Sequence, residues 1–176
     1  MIKSVCVYCS SSDSISSIYY EEAEKLGTLL GKRRLHVING AGNNGLMNAV
    51  SNVVLKEGGT VTGVIPDFMV KNGWCHQGLT QVIKTNTMHE RKKTIADISD
   101  AAIALPGGYG TMEELLEIIT WKQLGLYNKP VIILNTNHFY DPLLEMFRQA
   151  TEEKFIHPEP VLWNVVQTAN EIMEIL

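Results

Sequence analysis

The order in which two kinds of hydrophobic pattern follow one another constrains this chain most. Short, β-branched apolar runs at Ser4–Tyr8, His36–Ile38, Thr60–Ile65, Gln81–Lys84, Ala101–Leu105 and Val131–Leu134 alternate with helical periodicity at about Ser17–Arg33, Gly45–Glu57, Thr87–Ser99, Thr111–Leu124 and Pro142–Lys154. Several of the runs are apolar on both faces, as strands are when helices cover both sides of a parallel sheet. The alternation predicts an α/β, Rossmann-like, doubly wound and mainly parallel sheet. With 176 residues, no repeat, no low-complexity segment and short gaps between elements, the expectation is one domain over residues 1–176.

Composition narrows the partners. A net charge of −4 with scattered basic residues argues against nucleic acid or an anionic membrane as a binding partner. No secretory leader and no apolar stretch of membrane-spanning length is evident, so a cytoplasmic location is expected. Cys6, Cys9 and Cys75 form an odd set that suits a reducing compartment. The Cys-x-x-Cys spacing of Cys6 and Cys9 begins inside an expected strand, which favours two buried thiols over a redox pair. The five histidines show no metal-ligand spacing, so no metal is expected.

In doubly wound sheets ligands bind beyond the carboxyl ends of the strands. That rule selects the turns Cys9–Asp13, Asn39–Gly45 and Pro106–Thr111. Gly107, Gly108 and Gly110 join a strand to a helix start at Thr111, where free amides and the helix dipole favour an anion such as phosphate. The bland alternative is a tight connection that needs glycine for its geometry alone. Gly40, Gly42 and Gly45 form a second strand-to-helix turn that could face the same crevice. Neither turn matches the phosphate-loop pattern, and no clear acidic partner for a ribose follows, so dinucleotide redox chemistry is disfavoured.

Two charged residues stand out. Thr111-Met112-Glu113-Glu114 fits a capping box, in which Glu114 folds back onto the Thr111 amide. Its functional alternative points Glu114 into the crevice to act on water or sugar. Arg91 shares the helical spacing of Met88, Ile95 and Ile98, so a permanently charged guanidinium interrupts an apolar stripe; it needs an anionic partner or must snorkel to the surface. Lys92 and Lys93 flank the stripe and either reach a phosphate or face water. Glu113 and Glu117 are expected to be solvated, and Trp121 and Leu124 to be core or interface residues. Ser10, Ser11 and Ser12 end the first strand, where hydroxyls bond a ligand or cap the next segment.

Met88-His89-Glu90-Arg91-Lys92 followed by Leu105-Pro106-Gly107-Gly108-Tyr109-Gly110-Thr111-Met112-Glu113-Glu114 resembles the LONELY GUY family of cytokinin-activating phosphoribohydrolases, whose members are often labelled lysine decarboxylases. The likeness runs from Val7-Tyr8-Cys9 through Gly45-Leu46-Met47, Gly63-Val64-Ile65-Pro66 and Thr120-Trp121 to Tyr140-Asp141-Pro142. It implies a homodimer with a Rossmann-like fold and no cofactor. The implied reaction hydrolyses the N-glycosidic bond of a purine nucleoside 5′-monophosphate, carrying adenine or an N6-substituted adenine, to free base and ribose 5-phosphate.

By the resemblance Arg91 and Glu114 are catalytic. Lys92, Gly107, Gly108, Tyr109, Gly110, Thr111 and Thr120 are nucleotide contacts, joined by Ser11, Gly42 and Met88 from the neighbouring turns and helix. Ser10 stands where a glycine is usual, Asn39 and Ala41 replace a tyrosine and a glycine, and Gly73 occupies the place of a glutamate. The phosphate and catalytic positions are unaltered, and these departures bear on recognition of the base. A lysine decarboxylase would need a Schiff-base lysine for pyridoxal phosphate, which the sequence does not suggest. The rival classes are a non-catalytic carrier or sensor of a phosphorylated ligand, as in molybdenum-cofactor carrier proteins, and a phosphoribosyl transferase. The hydrolase reading requires Glu114 and Arg91 to converge over main-chain amides.

Overall fold

In the computed structural model, residues 2–176 are described. Strand β1 (Ser4–Tyr8) is followed by α1 (Ser17–Lys32), β2 (His36–Asn39), α2 (Gly45–Lys56), β3 (Val61–Pro66), a short α3 (Asp67–Lys71) and β4 (Gln81–Thr85). Then come α4 (Met88–Ile98), β5 (Ala102–Ala104), α5 (Tyr109–Gln123), β6 (Val131–Leu134), a 3-10 turn (Thr136–His138), α6 (Asp141–Glu152), β7 (Asn164–Val166) and α7 (Ala169–Ile175). All strand pairs are parallel, and the sheet order is β4-β3-β2-β1-β5-β6-β7.

That order creates the switch point. The chain winds outward from β1 to β4, then returns to place β5 on the other side of β1, with Cys6 opposite Ala102 and Tyr8 opposite Ala104. The turns that leave β1, β2 and β5 therefore open on one crevice at the carboxyl edge. A bond from the Ser10 amide to the Pro106 carbonyl, 3.3 Å, ties the first of these turns to the last.

Period-two alternation divides the core into two layers. Val5 and Val7 pack with Leu26, Leu30, Leu46, Val50 and Ile172 on the face covered by α1, α2 and α7. Cys6 and Tyr8 pack with Ile95, Leu115 and Ile118 on the face covered by α4 and α5. The predicted strands and long helices are present within a residue or two. The start of α5 comes two residues earlier than expected and the end of α6 two residues earlier, and α3, β7 and α7 are missing from the sequence reading. The helix α3 has five residues and β7 three, too short for periodicity to register.

Candidate active site

The turn after β5 leaves its amides free. A Cβ on Gly107 would lie 2.1 Å from Thr111 Oγ1, so only glycine lets the chain fold this closely over its own helix start. Gly108 is the residue before the helix and no side chain caps it. The amides of Tyr109, Gly110 and Thr111 stand in the first turn of α5, where no intrahelical acceptor exists, and nothing else among the described residues accepts from them. A Cβ on Gly108 or Gly110 would meet nothing within 4 Å, so a ligand can approach both closely. The buried Tyr140 hydroxyl donates to the Leu105 carbonyl at 2.6 Å, and the Asn135 side chain accepts from the Tyr140 amide at 2.7 Å, bracing the exit of β5.

The second glycine turn is already filled. The Gly45 amide donates to Asp13 Oδ1 at 2.7 Å, the Met47 amide to the Ser10 carbonyl at 3.3 Å, and the Gly42 amide to Met47 Sδ at 2.9 Å. Gly45 has φ +63°, and a Cβ there would strike the Ser10 and Ser11 backbone at 2.7 Å. This turn is a packing joint between the β1 loop and α2, so it offers no phosphate cradle of its own; Gly42 still lines the crevice.

The capping box that the spacing of Thr111 and Glu114 allows does not form. The helix begins at Tyr109, which places Thr111 within the first turn and aims Glu114 away from its own backbone. The same chemistry occurs instead at α4, where Thr87 Oγ1 accepts from the Glu90 amide at 3.1 Å and Glu90 returns to the Asn86 amide at 2.8 Å. Glu114 Oε1 accepts from Arg91 Nη1 at 2.6 Å, and Arg91 Nε donates to the Val64 carbonyl at 3.1 Å. Both side chains are over nine-tenths buried. Arg91 Nη2 has no hydrogen-bond partner among the described residues, which leaves a donor for a ligand. Burial raises the Glu114 carboxyl above the usual glutamate range, and the adjacent Arg91 guanidinium opposes the rise without cancelling it.

The inner face of α4 differs from the expected stripe. Met88 and Ile98 are about 40% exposed, while Arg91, Lys92, Ile95 and Ala96 are buried. Lys92 bonds Glu113 and, at 3.1 Å, Glu117, so neither acid is simply solvated; Glu113 lines the crevice and Lys92 does not. Lys93 pairs with Asp97 in the open.

A cleft of about 440 Å³ joins these parts, a size suited to a small molecule. Of the expected contacts, Arg91, Glu114, Met88, Gly108, Tyr109, Gly110, Thr111, Ser11 and Gly42 line it. Gly107 lies beneath the turn and borders a smaller, apolar cavity of about 230 Å³ with Tyr19 and Phe139. Lys92 and Thr120 do not line the cleft; Thr120 is exposed further along α5, its hydroxyl bonded to the Leu116 carbonyl at 2.8 Å. The sequence reading missed Met47, Met69 and Glu113 as lining residues. Met69 rides on the short α3, and Met47 matches the apolar periodicity of α2, so neither carries a separate signal.

The cysteines are free and buried. Burial pushes Cys6 up to about 11 and holds Cys9, which borders the cleft, far above the range of a reactive thiol. Among the described residues no group of side chains has the makings of a metal site, and no helix is long and apolar enough to cross a membrane.

Fold and cleft together define a Rossmann-like α/β protein with a small-molecule site at the switch point of its sheet. The model of a family described as "Possible lysine decarboxylase" matches residues 47–176. A cytokinin riboside 5′-monophosphate phosphoribohydrolase of Rhodococcoides fascians is 43% identical over 157 residues, 89% of this chain and 79% of that one. Another, from Arabidopsis thaliana, is 44% identical over 156 residues, 89% and 73% of the two chains. This chain belongs to that family, the LONELY GUY phosphoribohydrolases. The molybdenum cofactor binding protein of Rippkaea orientalis, 21% identical with a TM-score of 0.73 over 99% of this chain and 95% of that one, shares the fold. Among the described residues no lysine lines the cleft, so the decarboxylase description finds no Schiff-base residue there.

Proposed function

We propose that this protein hydrolyses the N-glycosidic bond of a purine nucleoside 5′-monophosphate, releasing the base and ribose 5-phosphate. The observation that carries the reading is the buried Arg91–Glu114 contact of 2.6 Å at the wall of a cleft floored by unpaired amides. The 5′-phosphate rests on the amides of Tyr109, Gly110 and Thr111, and Met47, Met69 and Met88 offer apolar surface to the base. Ser11, Gly42 and Gly108 complete the binding set. Lys92, held by Glu113 and Glu117, braces α4 against α5.

In the reaction the oxygen of water bonds C1′ while the C1′–N bond breaks. Its electron pair stays with the base nitrogen, which gains a proton. Positive charge grows on the ribose, and the Glu114 carboxylate both stabilises it and orients or deprotonates the water. Arg91 fixes that carboxylate through Nη1, is itself anchored on Val64, and keeps Nη2 for the substrate. The names of the relatives extend the substrate class to N6-substituted adenine nucleotides. As further parts of this reading, the chain forms one domain, resides in the cytoplasm and pairs as a homodimer. Pairing is supported by the exposed Leu116 of α5 and Leu124 just beyond its end, and by α6, an amphipathic helix with no buried residue. A monomer by size-exclusion chromatography with light scattering at micromolar concentration would count against pairing.

Incubating the purified protein with adenosine 5′-monophosphate and separating the products tests the activity. Free adenine and ribose 5-phosphate are expected. Exchange with an added second base would indicate a transferase, and binding without products a carrier.

A further inference from the structure

We infer that Asn39 is a positioning residue for Arg91: its side chain holds Ala41 in the left-handed region, and that conformation sets Gly40 as the shelf on which the guanidinium lies. The kinetic arm of the inference rests on the function proposed above; the structural arm does not.

Gly40 comes first in the chain of contacts. An ideal Cβ on it would lie 1.9 Å from Arg91 Nη2 and 3.0 Å from Cζ, so the guanidinium packs directly on the bare Cα. Met47 closes the other side, its Cε 3.3 Å from the same point. The height of this shelf depends on the backbone that follows. Ala41 has φ +60°, a conformation that costs an alanine strain and that glycine adopts freely. Its Cβ is fully buried, so the strained geometry is enclosed.

The restraint on that strain is Asn39, 1% exposed at the end of β2. Its Oδ1 accepts from the Ala41 amide at 2.9 Å, and its Nδ2 donates to Ser51 Oγ at 2.8 Å. Ser51 Oγ in turn donates to the Met47 carbonyl at 2.8 Å, so the amide is fixed to the body of α2. Every polar atom of this buried set is paired, and the set ends at the residue beneath Arg91. Ser51, Asn39, Ala41, Gly40, Arg91 and Glu114 form one continuous line from the interior of α2 to the acid.

Two readouts test this. The first is the Arg91 Nε–H resonance, which its buried bond to Val64 protects from exchange. Asn39→Ala is expected to shift or broaden it, as is Gly40→Ala, whose methyl group meets the guanidinium rather than backbone. The double variant Asn39→Ala/Ala41→Gly is expected to restore the signal, because glycine holds the left-handed conformation without the restraint. The second readout is turnover of adenosine 5′-monophosphate. Asn39→Ala should lower kcat about tenfold, equivalent to about 1.4 kcal/mol, with KM within about twofold, and the double variant should recover most of it. Gly40→Ala should lower kcat by roughly a hundredfold.

An unchanged Arg91 resonance in Asn39→Ala, or a double variant no better than the single, overturns the inference. If Asn39→Ala does not fold, Ser51→Ala serves in its place: it removes the partner that fixes the Asn39 side chain to α2 and should shift or broaden the signal, and an unchanged resonance overturns the inference. A wild-type protein that releases no base refutes the hydrolase reading, while the resonance still decides the role of Asn39.

Discussion

The two glycine-rich turns join a strand to a helix at the same edge of the same sheet, yet they do opposite things with their amides. Between Gly40 and Met47 the amides of Ala41, Gly42, Asn43, Gly45 and Met47 are taken by Asn39, Met47, Trp74, Asp13 and Ser10, and the glycine at 45 exists because the β1 loop lies against it. At Gly107–Thr111 one glycine is required by packing, and the two beyond it face open space above unpaired amides. Glycine content alone does not make an anion site. What matters is whether the protein has already supplied the acceptors.

The sharpest way to break this comparison is at the acid above the open turn. Glu114→Gln is expected to lower kcat roughly a thousandfold with nucleotide affinity nearly unchanged, measured by product chromatography and calorimetric titration. Because the acting carboxylate must be ionised, wild-type activity should fall as pH drops through the Glu114 pKa. Burial sets that acid limb above the ordinary glutamate range. A limb at or below the usual range would contradict the buried pair.

Substitutions of one glycine in each turn separate their roles. Gly45→Ala forces a methyl group onto backbone in a left-handed conformation and should cost about 3 kcal/mol in urea unfolding, with kcat per folded molecule preserved. Gly110→Ala meets no protein atom and should keep or slightly raise stability while weakening nucleotide binding about tenfold, since the methyl group occupies the ligand's approach. Equal stability losses in the two variants would erase the distinction.

Smaller effects are expected at the supports. Tyr140→Phe leaves the Leu105 carbonyl without its donor, costing about 1–2 kcal/mol, and should raise KM about fivefold as the open turn loosens. Asp13→Ala uncaps α2 at Gly45 and should cost about 1 kcal/mol in thermal unfolding with no change in KM. A change in KM there would mean that the filled turn also contacts substrate.

The long elements were legible because periodicity extends over many residues. The short α3, β7 and α7 were not, and with α3 the reading lost Met69 from the cleft wall. Lys92 shows the limit of residue type as a signal. A lysine beside an arginine on the right helix looks like a phosphate contact, but the fold pairs it with two acids on α5 that no local pattern on α4 announces. Thr111 and Glu114 show the same limit from the other side. Their spacing satisfies a capping box, yet the helix begins two residues earlier and turns the carboxylate toward Arg91.

By itself the sequence determined the alternation of strands and helices, the family, and the two charged residues that meet at the switch point, because each is written in local pattern or residue identity. Only the tertiary structure decided which glycine turn keeps its amides free, where Lys92 points, and that Gly40 lies under Arg91. Those outcomes depend on contacts between residues far apart in the chain, and the acceptors that fill one turn and spare the other come from separate elements that meet only when the sheet assembles.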